Sequence, residues 1–336
     1  MNGSNKRYVS VSGKPFETNC TVMAELVYLK DVKRDPNSVV TVGTFDGVHA
    51  GHRAIMNTVL RKAGERNARS VIVTFDPHPR EIINPGGEGI KLLTTLRERC
   101  EILEEIGINT LVVIPFDRDF SLLSSEEFIR DIIYKRIGVS EFVIGYDHQF
   151  GRNREGTIET IEQLGDELGF ATYVVSKREV EAQTVSSTAI RKAISEAGDV
   201  RLAAELLQRR YRLNGMVIHG DKRGKEIGFP TANIKPGHAK KIIPKDGVYA
   251  VKVRFDGKWY GGMMNIGIRP TFAGKERALE VHLFDFNRNI YGKEVQVRFF
   301  DRIRDEIKFS GVDELVTQLK EDKRQAQNIL RNEEKF

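Results

Sequence analysis

Two histidines set three residues apart, in Gly43-Thr44-Phe45-Asp46-Gly47-Val48-His49-Ala50-Gly51-His52, are the side chains of this sequence best suited to chemistry. Imidazoles can donate hydrogen bonds to oxygens that gain charge in a transition state. This pair follows Val39-Val40-Thr41-Val42, an apolar run that reads as a buried strand, and precedes a helix-like run from about His52 to Gly64. A helix N-terminus offers free N–H groups and the positive end of a dipole, so the junction suits a phosphate. Gly51 between the histidines lets a nucleotide come close to the backbone. Further on stands Ser187-Thr188-Ala189-Ile190-Arg191, where Ser187 and Thr188 would cap a helix and Arg191 would follow one turn later. The alternative, a metal-binding His pair, needs a third ligand and usually a glutamate, and the sequence places neither close by.

A second cluster lies downstream. Within the stretch Gly215–Asn233, the loop Gly220–Gly228 carries glycines at 220, 224 and 228, which would let backbone N–H groups wrap an anion. It lacks the Gly-Lys-Ser/Thr ending of a P-loop. Thr231 and Asn233, just beyond, are oxygen donors of the kind a hard cation prefers. On spacing alone these two are turn residues, and Glu280, in Glu-Val-His-Leu-Phe-Asp-Phe, is a strand carboxylate facing solvent. Asp76-Pro77-His78-Pro79 is readable as a proline-stiffened turn, and Asp147 precedes His148-Gln149-Phe150-Gly151.

The elements that must position these residues fall into two patterns. Strand-like runs at Val39–Gly43, Ser70–Phe75, Thr110–Ile114, Glu141–Gly145 and Ala171–Val175 alternate with helical patterns near His52–Arg66, Leu96–Ile106, Ser125–Ile137 and Ile158–Leu168. Alternation of this kind predicts βαβ units in a doubly wound, Rossmann-like parallel sheet, with ligands beyond the carboxyl ends of its strands. His49, Asp76 and Asp147 all follow strands, as that rule requires. Helical segments at Thr188–Ala197 and Asp199–Gln208 come next. After Tyr211 the pattern changes to short strands at Leu213–Ile218, Val248–Phe255, Trp259–Ile266, Leu279–Phe284 and Glu294–Phe300, closed by an amphipathic helix at Val312–Leu330. Strands so spaced predict an antiparallel β-barrel. The expected organisation is an N-terminal extension at 1–24, an α/β domain at 25–208 and a barrel domain at 209–336.

Composition narrows the class. The chain has 336 residues, 40% of them apolar and 30% charged, as in a soluble globular protein with room for two cores. No run approaches the length of a membrane span, and residues 1–19 lack the apolar core of a signal peptide. Two widely spaced cysteines, Cys20 and Cys100, argue against a disulfide scaffold or zinc site and for a cytoplasmic home. The net charge of +6 is concentrated from Arg212 onward, but its lysines and arginines are scattered among acids. That pattern reads as a solvated surface and anionic small substrates, with neither a nucleic acid nor a membrane as partner; it leaves the oligomeric state open.

The strand–HxGH–helix junction and the Ser-Thr-x-x-Arg element resemble the nucleotidyltransferase superfamily. The glycine-rich stretch ending in Pro230-Thr231-Ala232-Asn233, with Glu280–Phe286 downstream, resembles riboflavin kinases. In this order, and over nearly the whole chain, the two halves resemble the bacterial bifunctional riboflavin kinase/FAD synthetases. The resemblance implies two ATP-dependent reactions: phosphorylation of riboflavin to FMN in the barrel, and adenylylation of FMN to FAD in the α/β domain. It implies that His49 and His52 are catalytic and that Gly43, Thr44, Phe45, Gly51, Ser187, Thr188 and Arg191 join them in binding ATP. Asp76, His78 and Asp147 would line the flavin site. Gly220, Gly224, Gly228, Thr231 and Asn233 would bind the kinase's ATP, with Thr231 and Asn233 holding Mg²⁺ and Glu280 as general base. The HxGH motif alone does not state the flavin, and would equally serve pantetheine phosphate or nicotinate mononucleotide. Two departures stand out: His148 replaces a phenylalanine common in the family, and Gln208-Arg209-Arg210-Tyr211 replaces Gly-Arg-Pro-Tyr at the junction.

Overall fold

The computed structural model describes residues 24–83, 89–146, 149–176, 185–220, 223–271 and 274–332. The first half is a parallel sheet of β1 (Glu25–Tyr28), β2 (Ser38–Val42), β3 (Arg69–Asp76), β4 (Thr110–Pro115), β5 (Glu141–Gly145) and β6 (Ala171–Val175), in the order β1-β4-β3-β2-β5-β6. The central strands are near-continuous apolar runs because helices cover both faces of the sheet. Val39, Val40, Val71, Ile72, Leu111 and Val143 are all fully buried. The covering helices begin where short polar side chains cap them. Thr95 and Glu98 form a reciprocal capping box at the start of helix Leu96–Ile106, which stops at Gly107 in a left-handed conformation. The chain leaves β2 toward β3 on one side and β5 toward β6 on the other. A switch point therefore lies between β2 and β5, where an open α/β sheet leaves a crevice.

The second half is a closed antiparallel barrel of β7 (Arg212–Ile218), β8 (Ala232–Pro236), β9 (Gly247–Phe255), β10 (Lys258–Thr271), β11 (Gly274–Leu283) and β12 (Glu294–Arg304). Alternation along β12 sends Val295, Val297 and Phe299 into the core while Gln296 and Arg298 lie less buried between them. The final helix, Val312–Asn332, packs Ala326 and Leu330 on Val248, Ala250, Met263, Phe284 and Phe300, covering part of the barrel's outer face.

The doubly wound sheet, the barrel and the terminal helix are as the sequence pattern predicts, with two additional strands. β1 has four residues and pairs only with β4, so it is too short for periodicity to show. β8 holds Asn233 and ends in Pro236, and its pairing with β7 and β11 overrides a turn-like composition. The helix predicted over Ser125–Ile137 is α-helical for Ser125–Glu127 and continues as a π-helix over Phe128–Ile137.

The sheet packs in clusters of its own, while Leu93 and the two helices that follow the sheet share a core with the barrel. Leu93, Ile190, Ile194, Val200 and Leu207 pack in the same cluster as the barrel residues Leu213, Tyr249, Val251 and Phe299. A buried ion pair sits at the seam: Lys241 Nζ donates to Glu98 Oε2 at 2.7 Å and to the Leu93 carbonyl at 2.6 Å. The two side chains are 1% and 0% exposed. Glu98 also accepts from the N–H groups of Thr95 and Asn214, so one carboxylate caps a helix and ties down β7. Removing one partner of such a pair strands a buried charge. Lys241→Ala should therefore lower unfolding free energy by about 3–5 kcal/mol in urea titrations. A loss below about 1 kcal/mol, the range of an exposed pair, would contradict this account of the seam.

Candidate functional site

The loop after β2 is organised around Asp46, whose side chain is 1% exposed. Its carboxylate accepts from the backbone N–H groups of Leu93 (3.0 Å) and Thr94 (2.8 Å), from Thr94 Oγ1 (3.1 Å), and from Arg191 Nη2 (2.5 Å). Burial alone would raise this carboxyl's pKa. Arg99 and Arg191 together with the two backbone donors reverse that and hold it below the ordinary value. The loop turns at Gly47, with φ +90°, where a Cβ would come within 2.8 Å of Leu93. Phe45 and Val48 adopt positive φ as well, at 45° and 41°, conformations costly for side-chain-bearing residues.

His49 is the N-cap of helix Ala50–Arg66, its Nδ1 accepting from the His52 N–H at 3.4 Å. An acceptor Nδ1 leaves the proton of the neutral ring on Nε2, which is then a donor. The two imidazoles stack with centroids 3.6 Å apart, and Phe45 packs edge-on against His52. Burial pushes His49 down to about 4; Asp46 opposes the shift, and Arg209 and Arg191 add to it. Burial, then His49, Arg99 and Arg209, hold His52 well below the ordinary value. Both rings are therefore neutral donors at pH 7. His52 Nδ1 is buried with no hydrogen-bond partner among the described residues.

The structure brings the Ser187–Arg191 element to this loop. Ser186, not Ser187 or Thr188, is the residue that caps the helix, accepting from Ala189 N–H. Ser187 instead donates to the Asp46 carbonyl at 2.8 Å. Thr188 is exposed. Arg191 pairs with Asp46 and donates to the Lys91 carbonyl. The expectation that Ser187 and Thr188 form the cap fails because the preceding serine already has extended backbone angles and the required reach. Thr44 offers its carbonyl to Thr74 Oγ1, and Gly43 and Gly51 lie within the same loop and helix start. His78 joins the group: burial pushes it down to about 4, with Asp46 opposing and Arg191 and Arg99 adding to the shift. Asp76 precedes it through a cis Asp76–Pro77 bond and acts electrostatically on Arg99. Asp147 lies outside the described residues.

Arg99 escapes sequence reasoning. It is 4% exposed, donates to Thr74 Oγ1 at 2.8 Å and stands 4.0 Å from Asp46. On a helix rich in Glu and Arg it reads as a surface residue; only its place on the sheet-facing side would have signalled it.

The second cluster also assembles. Asn233 on β8, Glu280 on β11 and Asn265 on β10 are directly opposite one another across three adjacent strands, so they share one face of the barrel. Thr231 Oγ1 donates to Glu280 Oε2 at 3.4 Å. Gly220 lies against Asn233, where a Cβ would come within 2.0 Å of Nδ2; any other residue there would displace that amide. Gly224 sits within a single helical turn, Arg223–Glu226, in place of an open glycine loop, and Gly228 takes φ +83°. The turn closes through the Phe229 N–H donating to the Gly224 carbonyl. His282, two residues beyond Glu280, bonds the Pro230 carbonyl through Nδ1 at 2.9 Å. A carbonyl only accepts, so that nitrogen carries the proton, and the bond fixes the turn leading to Thr231. The sequence reading overlooked Asn265 and the role of His282. The period-two spacing of Glu280 and His282 was the available signal.

Sheet and barrel in this order define the class: a nucleotidyltransferase-type α/β fold followed by a flavokinase-type barrel. The family model for FAD synthetase matches residues 31–189, and that for riboflavin kinase matches residues 207–330. Bifunctional riboflavin kinase/FMN adenylyltransferases of Listeria monocytogenes and Bacillus subtilis are 38% and 39% identical to this chain, over 86% and 88% of it and 91% and 93% of their own lengths. The Escherichia coli K12 protein of the same description is 37% identical over 87% of this chain and 92% of its own. A solved structure from Streptococcus pneumoniae, described as a macrolide-efflux protein, superposes with a TM-score of 0.82 at 34% identity, covering 91% of this chain and 99% of that one. Among the described residues no helix is long and apolar enough to cross a membrane. The chain belongs to the bifunctional riboflavin kinase/FMN adenylyltransferase family.

The depressed histidines make stability depend on pH. Folded His49 and His78 bind protons only near pH 4, against 6.5 when unfolded, so the unfolded chain holds more protons in between. Their contribution is complete above about pH 6.5 and is lost as pH falls toward 4. The urea midpoint should drop from neutral pH to about pH 5, and drop less in His49→Gln. A wild-type midpoint that does not change over that range would contradict the burial of these rings as neutral groups.

Proposed function

We infer that this chain converts riboflavin to FMN in its barrel half and FMN to FAD in its α/β half, using ATP for both. The observation that carries the inference is the match of both family models to one chain, in that order, with relatives aligned over most of their lengths. We place the division of labour near residue 209, with 25–208 as the adenylyltransferase domain and 209–336 as the kinase domain. The reactions use small molecules available in the cytoplasm, where we locate the enzyme.

In the α/β half, a phosphate oxygen of FMN attacks the α-phosphorus of ATP. The bond to the α–β bridging oxygen breaks, and pyrophosphate leaves. Two anions must be brought together, so orientation and charge stabilisation dominate the barrier. His49 and His52 supply neutral N–H donors to the phosphates at the start of helix Ala50–Arg66, the positive end of its dipole. Arg191 fixes the phosphate tail, and Gly43, Thr44, Phe45, Gly51, Ser187 and Thr188 shape the ATP site. Asp76, His78 and Asp147 line the flavin side. The convergence of Ser187, Arg191 and His78 on the Asp46 loop supports this assignment.

In the barrel half, the 5′-hydroxyl of riboflavin attacks the γ-phosphorus, ADP leaves, and Glu280 takes the hydroxyl proton. Gly220, Gly224 and Gly228 keep the approach to the phosphates free of side chains. Thr231 Oγ1, the Asn233 amide and the Glu280 carboxylate make an oxygen donor set that fits a hard cation, and Thr231 and Asn233 would hold Mg²⁺. When bound, Mg²⁺ neutralises charge on the phosphates.

Chromatography of purified protein with riboflavin, ATP and MgCl₂ should show FMN rising and then giving way to FAD. His52→Ala should slow FAD formation about 100- to 1000-fold and leave FMN formation intact, whereas Glu280→Ala should do the reverse when FMN is supplied. FAD formation unchanged in His52→Ala, or FMN formation unchanged in Glu280→Ala, would remove that residue from its reaction.

A further inference from the structure

Arg209 lies in the stretch matched by riboflavin kinase, which begins at residue 207, yet its side chain serves the other half. Its guanidinium donates to the Gly47 carbonyl at 2.6 Å and to the Val48 carbonyl at 3.1 Å, with a third bond to the Leu207 carbonyl. Its own N–H donates to Ala204 of the preceding helix, so the side chain projects from an anchored backbone. The bonds of the group among the described residues all go to carbonyls, and its Nε is buried without a partner. Burial, then Arg212 and Arg53, bring the guanidinium down to about 9, with Glu105 and Glu98 opposing, so it is still charged at pH 7. Arg209 is half-buried as a residue, and a cation partly withdrawn from water without a carboxylate partner is costly to keep. Here it brackets the most strained part of the loop: Val48 is β-branched and sits at φ 41°, immediately before His49.

We propose that Arg209 is a positioning residue for adenylyl transfer, reaching from the kinase side of the chain to fix the Gly47–Val48 backbone on which His49 is set. The proposal rests on the reading of His49 as a transferase-site residue. Arg209 touches neither substrate in this role; it determines where the His49 Nε2–H stands. A misplacement of about 1 Å at such a donor can cost about 100-fold in rate. Arg209 therefore makes the α/β site dependent on the segment that opens the barrel.

The test uses the full chain and measures both reactions in each variant. In Arg209→Met, kcat for FAD formation from FMN and ATP should fall about 10- to 100-fold. KM for FMN and ATP should stay close to wild type, and riboflavin phosphorylation should be unchanged. Arg209→Lys, which keeps the charge but loses the fork that spans two carbonyls, should lie between. Should Arg209→Met fail to fold, Arg209→Lys gives the same kcat-against-KM comparison. Equal losses in both reactions would make Arg209 a general structural residue and overturn the proposal, as would an unchanged kcat. His49→Asn separates the two readings. If it abolishes FAD formation while the Arg209 variants do not slow it, the positioning role alone fails; if it leaves FAD formation intact, the site assignment itself fails.

Discussion

The buried carboxylate of Asp46 is the constraint on which the α/β site depends. An ionised group with 1% of its side chain exposed survives only when its oxygens are satisfied, and here two backbone N–H groups, a threonine hydroxyl and Arg191 do so. Each of those donors comes from a different part of the chain from the histidine loop. Satisfying Asp46 therefore pulls the Leu93–Thr94 segment and helix Ser187–Lys192 to the carboxyl end of β2. The same residue's carbonyl accepts from Ser187. Segments far apart in sequence thus meet at the switch point of the sheet because one charge cannot be left unpaired.

From there the chain of dependence runs into the barrel. The Leu93 carbonyl accepts from Lys241, and Lys241 is paired with Glu98, which caps its own helix and accepts from the first barrel strand. Arg209 adds a second tie, from the linker to the Gly47–Val48 carbonyls. The apolar cluster across the seam is continuous with the barrel interior. These contacts tie the α/β half and the barrel together at this seam, although in the proposed mechanism each half does its phosphate chemistry with its own side chains.

What the sequence disclosed follows physical rules. His49 and His52 stood out because the extended motif Gly43–His52 is paired with Ser187–Arg191, whereas the four-residue HxGH pattern alone is a weak signal. The parallel strands were legible because both faces are covered, which leaves unbroken apolar runs such as Val39–Val42 and Val71–Val73. Glu280 and Asn233 were legible only through their resemblance to riboflavin kinases, since neither position differs in type from a solvent-facing residue. Their pairing on adjacent strands emerged with β8, which Pro236 and Asn233 disguise as a turn. Arg99, Lys241 and Arg209 were illegible for one shared reason. Charged residues default to the surface, and only partners distant in sequence reveal that Arg99 and Lys241 are buried and that the half-buried Arg209 turns its guanidinium inward. The helix cap shifted from Ser187 to Ser186 because neighbouring serines are indistinguishable until backbone angles are known.

The most direct test of this account replaces Asp46 by asparagine, which keeps the shape of the side chain and removes its charge. The measurement is the time course of riboflavin, FMN and FAD with ATP and MgCl₂. Because Asp46 organises the proposed transferase site, FMN should accumulate at the wild-type rate, while FAD formation falls about 100-fold as the loop loses its fixed geometry. FAD appearing at the wild-type rate would contradict the central claim, showing that the histidine loop keeps its arrangement without the Asp46 charge.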